Sequence, residues 1–409
     1  MSNAADLEKR YGAGNYAPLP VTIVRGEGIH LWDHEGRRYI DMLGAYSAVS
    51  FGHCHPRLIR ALTEQAGRLD ILSRVYSSDR LGPFLARACE LTGMDRALPM
   101  NTGTEAVETA IKAARKWAYT VKGVADDQAE IIAATGNFHG RTIAIIGLST
   151  VAEYRDGFGP FPPGLVLVPF GDAAALEAAI TPNTAAFLVE PIQGEGGIVV
   201  PPAGYFTDVE RICRAHDVLL ICDEVQTGLG RTGKMLAIEH EGITPDGVTL
   251  GKALGGGLVP VSMFLATDEV MGVFNPGDHG STYGGNPIAA AVGLAALDLL
   301  VEDKLVARAA RLGAHLLARL RALDSPAIRE VRGRGLFAGI EFHQDAVSAP
   351  EVVEALMRAG ILTKETHRNT VRMAPPFIIE KNEIDEAVDL LAEVLDDITA
   401  TALAPSAPH

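Results

Sequence analysis

Between about residues 57 and 303 the chain alternates two textures. Short, mostly apolar runs at 129–134, 184–189, 218–222, 248–250 and 261–266 are separated by longer stretches in which apolar residues return every three or four positions. Such runs suit strands buried on both faces, and the longer period suits helices that cover them. One such stretch opens at residue 103 and sets Val107, Ala110, Ile111, Ala114, Trp117 and Val121 on a single stripe. The alternation predicts an α/β architecture, a mainly parallel sheet covered by helices.

The flanks read differently. Up to about residue 43 there are only glycine-punctuated, strand-like runs at 28–33 and 38–42. After residue 303 a helical stripe of Val306, Ala309, Leu312, Leu316, Leu320 and Leu323 leads to a strand at 335–342, then to a last helix carrying Ile384, Val388, Leu391, Leu395 and Ile398. Four parts are expected: an arm with short strands at 1–56 that contributes to a small domain, a large domain at 57–303, the C-terminal part of the small α+β domain at 304–400, and an Ala- and Pro-rich, disordered tail at 401–409. The length of 409 residues agrees with two cores, because one core seldom grows past about 250–300 residues.

Composition narrows the partners. A formal net charge of −15 disfavours a phosphate-backbone footprint, so nucleic acid is not an expected partner. No apolar run approaches the ~18 residues of a membrane helix, and the amino terminus has no basic region followed by an apolar stretch, so a soluble, cytoplasmic protein without a membrane partner is expected. Cys54, Cys89, Cys213 and Cys222 lack paired metal spacing, and His53-Cys54-His55 reads as a turn before Pro56, so neither a metal nor a disulfide is expected.

The chemistry concentrates at run ends. Asp223 closes the run at 218–222, and Lys252 follows the run at 248–250 just before Gly255-Gly256-Gly257. A lysine at the edge of an apolar sheet loses solvation, which lowers its pKa and makes its amine a usable nucleophile. A carboxylate beside it suits pyridoxal phosphate: the amine forms a Schiff base with the aldehyde, and the carboxylate keeps the pyridine nitrogen protonated. The alternative is a structural ion pair between neighbouring strands.

Asn101-Thr102-Gly103-Thr104-Glu105 opens the striped helix with a capping-box pattern, Thr102 and Glu105, and a helix start there offers N–H groups to a phosphate. Capping without a ligand is the plainer reading of those residues. Gly333-Arg334-Gly335 runs into a strand rather than a helix, which argues against a nicotinamide site.

Seven motifs then occur in one order: Tyr46-Ser47-Ala48-Val49, Gly52-His53-Cys54-His55-Pro56, Asn101 to Ala106, Asn137-Phe138-His139-Gly140-Arg141-Thr142, Glu190-Pro191-Ile192-Gln193-Gly194-Glu195, Asp223 to Gly228, and Gly251-Lys252-Ala253-Leu254. With them the chain resembles the class III, fold-type I, pyridoxal-phosphate aminotransferases from about Tyr11 to Ile398, and within them the branch that acts on ornithine. The resemblance implies that Lys252 carries the cofactor and shuttles the proton, that Asp223 faces the pyridine nitrogen, and that Gln226 donates to the ring hydroxyl. Phe138 and Val225 would flank the ring. Gly103 and Thr104 would bind the phosphate, together with the 281–282 segment, Ser281 and Thr282, of which Thr282 comes from a second subunit. A homodimer or higher homo-oligomer with sites at its interface is therefore implied.

For the substrates, an amino acid and a 2-oxo acid, the resemblance implies that Arg372 receives the α-carboxylate of glutamate or 2-oxoglutarate and that Glu195 neutralises Arg372 when an ω-amine enters. Arg141 and Tyr46 would hold the α-carboxylate of ornithine, so that its δ-amine passes to 2-oxoglutarate in a ping-pong reaction giving glutamate-5-semialdehyde and glutamate. The chain departs from the family where an aromatic pair is usual: Tyr76 stands one place early and Ser77 replaces the second aromatic. Other donors, namely N-acetylornithine, 4-aminobutyrate, lysine or another basic amino acid, stay open on that account, as do a non-transaminating enzyme of the same fold and a cofactor-bound scaffold.

Overall fold

The computed structural model describes residues 4–403. Its centre is a seven-stranded sheet in the order Arg96–Met100, Ser262–Ala266, Gly247–Leu250, Leu219–Asp223, Thr184–Val189, Glu130–Ala134 and Leu165–Val168. Ser262–Ala266 runs antiparallel to both neighbours, and every other pairing is parallel. The sheet is thus mainly parallel, as the alternating textures predict.

Strand geometry explains why the runs have no polar face. Successive side chains point to opposite sides of a strand, so Ile132, Phe187, Val189, Leu220, Cys222 and Leu250 enter one apolar core while Ile131, Leu188, Leu219, Ile221 and Phe264 enter another. Helix Gly103–Trp117 covers the second core with Val107, Ala110, Ile111, Ala114 and Trp117. The edge strand Leu165–Val168 is absent from the expected set. It is only four residues long, follows Pro162-Pro163-Gly164, and is partly exposed at three of its positions.

Two smaller sheets lie beside the central one, and one of them joins the two ends of the chain. Strands Ile23–Glu27, His30–Asp33 and Arg38–Asp41 form a meander whose last member pairs in parallel with Ile361–Leu362, Ile40 opposite Ile361. The other sheet orders Ile328–Gly333, Ala338–Phe342, Thr370–Met373 and Glu365–Thr366. The strand expected from residue 335 begins at Ala338, because Gly335 turns with φ 59° where a side chain would strike the Thr232 backbone. Arg231, fully buried, ties these regions to the central sheet: it donates to the carbonyls of Leu336 and Pro375 and to Ser50 Oγ, beneath the Phe377 ring. Burial lowers its pKa to about 9.

The last helix is Lys381–Leu403. It takes in the first residues of the stretch expected to be a tail, since Ala400, Ala402 and Leu403 are good helix formers; the rest of that stretch, 404–409, lies outside the described residues. Among the described residues no helix is long and apolar enough to cross a membrane.

Candidate active site

The carboxyl ends of the parallel strands converge on one place, the usual ligand position in an open α/β sheet. Asp223 is the last residue of its strand and lies opposite Thr249 in the parallel register. Its carboxylate accepts three hydrogen bonds, from His139 Nδ1 (2.7 Å), Thr249 Oγ1 (3.0 Å) and the Val225 N–H (3.1 Å). Burial works against its charge, yet His139 and the other donors hold its pKa below the ordinary carboxylate value. The His139 pKa is displaced upward despite burial, because Asp223 faces it. His139 Nε2 is buried with no hydrogen-bond partner.

Lys252 follows strand Gly247–Leu250 with φ 45°, a left-handed conformation that is uncommon for a non-glycine residue and concentrates at functional sites. Among the described residues no ion pair reaches its amine, so the structural ion pair with Asp223 is not what the fold builds. Burial lowers its pKa, while Glu195 and Asp223 oppose that shift. A partly desolvated, unpaired amine is suited to covalent chemistry.

Lys252 opens into a cavity of about 390 Å³ that is also lined by Asn101, Thr102 and Gly103 at the start of the striped helix. There the capping box forms as its pattern predicts. Glu105 accepts the N–H groups of Asn101 and Thr102 (2.9 and 2.8 Å), and Thr102 Oγ1 accepts that of Glu105 (3.3 Å). Of the first-turn donors this leaves the N–H groups of Gly103 and Thr104, which have no intrahelical partner. A Cβ on Gly103 would lie 2.8 Å from Val225 Cγ1, so glycine is what lets Val225 pack here. Ser281 Oγ accepts from Asn101 Nδ2 at 2.9 Å, whereas Thr282 is exposed.

At the next strand end, Glu190 is buried and accepts the N–H groups of Phe138 (3.0 Å) and Gly194 (3.1 Å). Burial pushes its pKa up to about 7. Glu195, beyond Gly194, binds Arg372 through two parallel bonds of 2.7 Å, and Arg372 is 1 % exposed. Burial raises the Glu195 pKa, but the Arg372 hydrogen bonds and charge bring it down to about 2. Gln226 Nε2 reaches Glu195 Oε1 and the Tyr46 carbonyl, each at 3.4 Å. Tyr46 sits in a left-handed turn with its ring 5.0 Å from the Arg372 guanidinium.

Arg141 differs. It is exposed, has no carboxylate partner among the described residues, and lies over Tyr154 (3.5 Å) and Phe138 (5.4 Å). The structure therefore gathers Lys252, Asp223, Gln226, Phe138, Val225, Gly103, Thr104, Glu195, Arg372, Tyr46 and Arg141 around the sheet ends. Tyr76 and Ser77 stand exposed, Tyr76 at 66 %, and take no part in the bonds and ring contacts just described. Four participants escaped sequence reasoning: His139, Thr249, Glu190 and Tyr154. His139 and Glu190 lie inside quoted motifs and Thr249 faces Asp223 in register, but only Tyr154 lacks any local signal.

The donor set fits pyridoxal phosphate: an anion held charged at the sheet end, and an unpaired lysine that shares a cavity with the helix start at Asn101, Thr102 and Gly103. The profile of the family described as Aminotransferase class-III matches residues 11–395. An ornithine aminotransferase of Geobacillus sp. (strain WCH70) is 53% identical over 388 residues, 95% of this chain and 97% of that protein. The crystal structure of ornithine aminotransferase from Toxoplasma gondii ME49 superposes with a TM-score of 0.95 at 44% identity, covering 97% of this chain and 95% of that one. A second structure of the Toxoplasma gondii protein, with the same TM-score and identity over 97% and 94% of the two chains, is described with pyridoxal phosphate in partial occupancy at its active site. On these grounds the chain belongs to the class-III aminotransferases.

Proposed function

We propose that the chain transfers the δ-amine of L-ornithine to 2-oxoglutarate, yielding glutamate-5-semialdehyde and glutamate by a ping-pong mechanism. Bound pyridoxal phosphate supplies the electron sink that accepts the pair released when a bond at the amine-bearing carbon breaks. Lys252 is its attachment point and, once released, moves the proton at that carbon as general base and acid. Asp223, held charged by His139 and Thr249, would face the pyridine nitrogen, and Gln226 would face the ring hydroxyl. Phe138 and Val225 would confine the ring. The Gly103 and Thr104 N–H groups would bind the phosphate beside Ser281, and Thr282 of a second subunit would complete that site in a homodimer. A cytoplasmic location goes with this metabolic role.

One observation carries the donor assignment: Arg372 is already neutralised by Glu195, while Arg141 has no carboxylate partner among the described residues. An entering amino acid with two amines is then held by its α-carboxylate at Arg141, with Tyr46 as the second donor, and presents its δ-amine to the reaction. A 2-oxo diacid exchanges with Glu195 on Arg372, like for like.

The test is a donor panel. Enzyme, ornithine and 2-oxoglutarate should form glutamate-5-semialdehyde, which cyclises to pyrroline-5-carboxylate and is read colorimetrically. Brisk turnover of N-acetylornithine or 4-aminobutyrate with none of ornithine would reassign the donor, the outcome that Ser77 keeps in view. Lys252→Ala should lose at least ~10²–10⁴-fold in kcat, and borohydride should no longer fix cofactor mass on the peptide containing residue 252. Retained turnover would remove Lys252 from its role.

A further inference from the structure

Arg141 is a long, exposed side chain with no carboxylate among the described residues to fix it, yet a carboxylate receptor must present its fork in one orientation to gain from bidentate binding. What fixes it here is aromatic. Its Cζ lies 3.5 Å from the Tyr154 ring centroid, which is face contact. Tyr154 is itself braced, meeting Phe138 edge-on at 6.1 Å and 85° and His367 at 6.4 Å and 58°. Burial raises the Tyr154 hydroxyl pKa, and the charges acting on it include Arg141, Glu195 and Arg372, so both arginines are within electrostatic reach of this ring.

We propose that Tyr154 is a positioning residue that sets donor specificity, fixing the Arg141 guanidinium for an α-carboxylate at one end of the site while leaving Glu195 and Arg372 to govern the other. The inference rests on the ornithine reading above. It gives a structural answer to the missing aromatic at Ser77: the ring that organises the α-carboxylate seat within this chain comes from helix Ala152–Arg155 instead. A ring stacked on arginine can also serve packing alone, and the two roles separate experimentally. Packing would affect every substrate, whereas positioning of Arg141 touches only substrates that carry the α-carboxylate.

The experiment compares wild-type, Tyr154→Phe and Tyr154→Leu holoenzymes with ornithine, with 1,4-diaminobutane (ornithine without its carboxylate), and with 2-oxoglutarate in the second half-reaction. Tyr154→Leu should raise the ornithine KM about tenfold, the size of a partly desolvated cation–π contact, with kcat within about twofold. The diamine constants should stay within about twofold, so that discrimination between the two donors shrinks about tenfold. Tyr154→Phe keeps the ring and should restore the wild-type ornithine KM. Equal losses with ornithine and the diamine, or a Phe variant as impaired as the Leu variant, overturn the proposal. A wild type that turns over neither donor sinks the ornithine reading and this inference with it, whereas unchanged discrimination in Tyr154→Leu sinks this inference alone. Tyr154→Met replaces the Leu variant if that one does not fold.

Discussion

Two arginines of the site solve the problem of carrying a charge in opposite ways. Arg372 lies within strand Thr370–Met373, whose four residues are all buried, and is locked to Glu195 by two bonds of 2.7 Å. Arg141 projects from the loop after Asn137 into solvent and rests on the faces of Tyr154 and Phe138. Arg231 is buried on backbone carbonyls, but among the described residues the Arg372 guanidinium has no acceptor besides Glu195, and a buried charge left unpaired is severely penalised, so Arg372 needs a carboxylate at all times and can release Glu195 only to another. An exposed guanidinium has water, and its need is orientation, which aromatic stacking supplies without neutralising it. The contrast teaches that selection between an ω-amine and a 2-oxo diacid is built from solvation: one receptor is kept closed, the other kept open. Both hang from one support, because Glu190 accepts the N–H of Phe138 on the Arg141 side and of Gly194 on the Glu195 side.

The sharpest way to break the comparison is Arg372→Met. It leaves Glu195, whose side chain is 22 % exposed, without its cation, and should lower kcat/KM for 2-oxoglutarate by about 10²–10³-fold. Single-turnover absorbance of the bound cofactor separates the half-reactions, and an equal loss with ornithine would erase the distinction between the two ends. Arg141→Leu should do the reverse on a smaller scale. Ornithine kcat/KM should fall about 10–100-fold, as for a lost charge-assisted bond of ~1.5–3 kcal/mol, with 2-oxoglutarate little changed.

Glu195→Gln sharpens the comparison with the smallest effect. With Arg372 no longer neutralised, ornithine can enter by the wrong end, and its half-reaction should slow about tenfold while that of 2-oxoglutarate does not. The same pair makes a pH prediction. The Glu195 carboxyl titrates at about 2 in the fold against an ordinary value of 4.5, so its stabilisation is complete above the ordinary value and is lost as pH falls toward the folded one. Donor preference should therefore stay flat from about pH 8 to pH 5, and wild-type stability in urea should fall more steeply below about pH 4.5 than that of Glu195→Gln. A step in donor preference near neutral pH would assign the switch to another group.

Much of this molecule was legible from the chain. Apolar runs located five of the seven central strands, and the capping box at Thr102 and Glu105 formed where its spacing placed it. These are consequences of periodicity and of hydrogen bonds within a few residues, both of which a sequence carries in full. That Asp223 and Lys252 stand at run ends was equally legible. Their relation was not: the residues alone left an ion pair open, whereas the fold gives Asp223 to His139 and Thr249 and leaves the lysine unpaired.

What the tertiary structure alone decided is which distant groups meet. Tyr46 rests on Arg372, Tyr154 slides beneath Arg141, and Glu190 bridges two loops. The sequence by itself determined the elements, their buried faces and the residues able to do chemistry, because these depend on local period and residue type. Partner choice depends on strand order and on the paths of loops, where a small shift of backbone exchanges a carboxylate for a ring, and no short-range pattern encodes that.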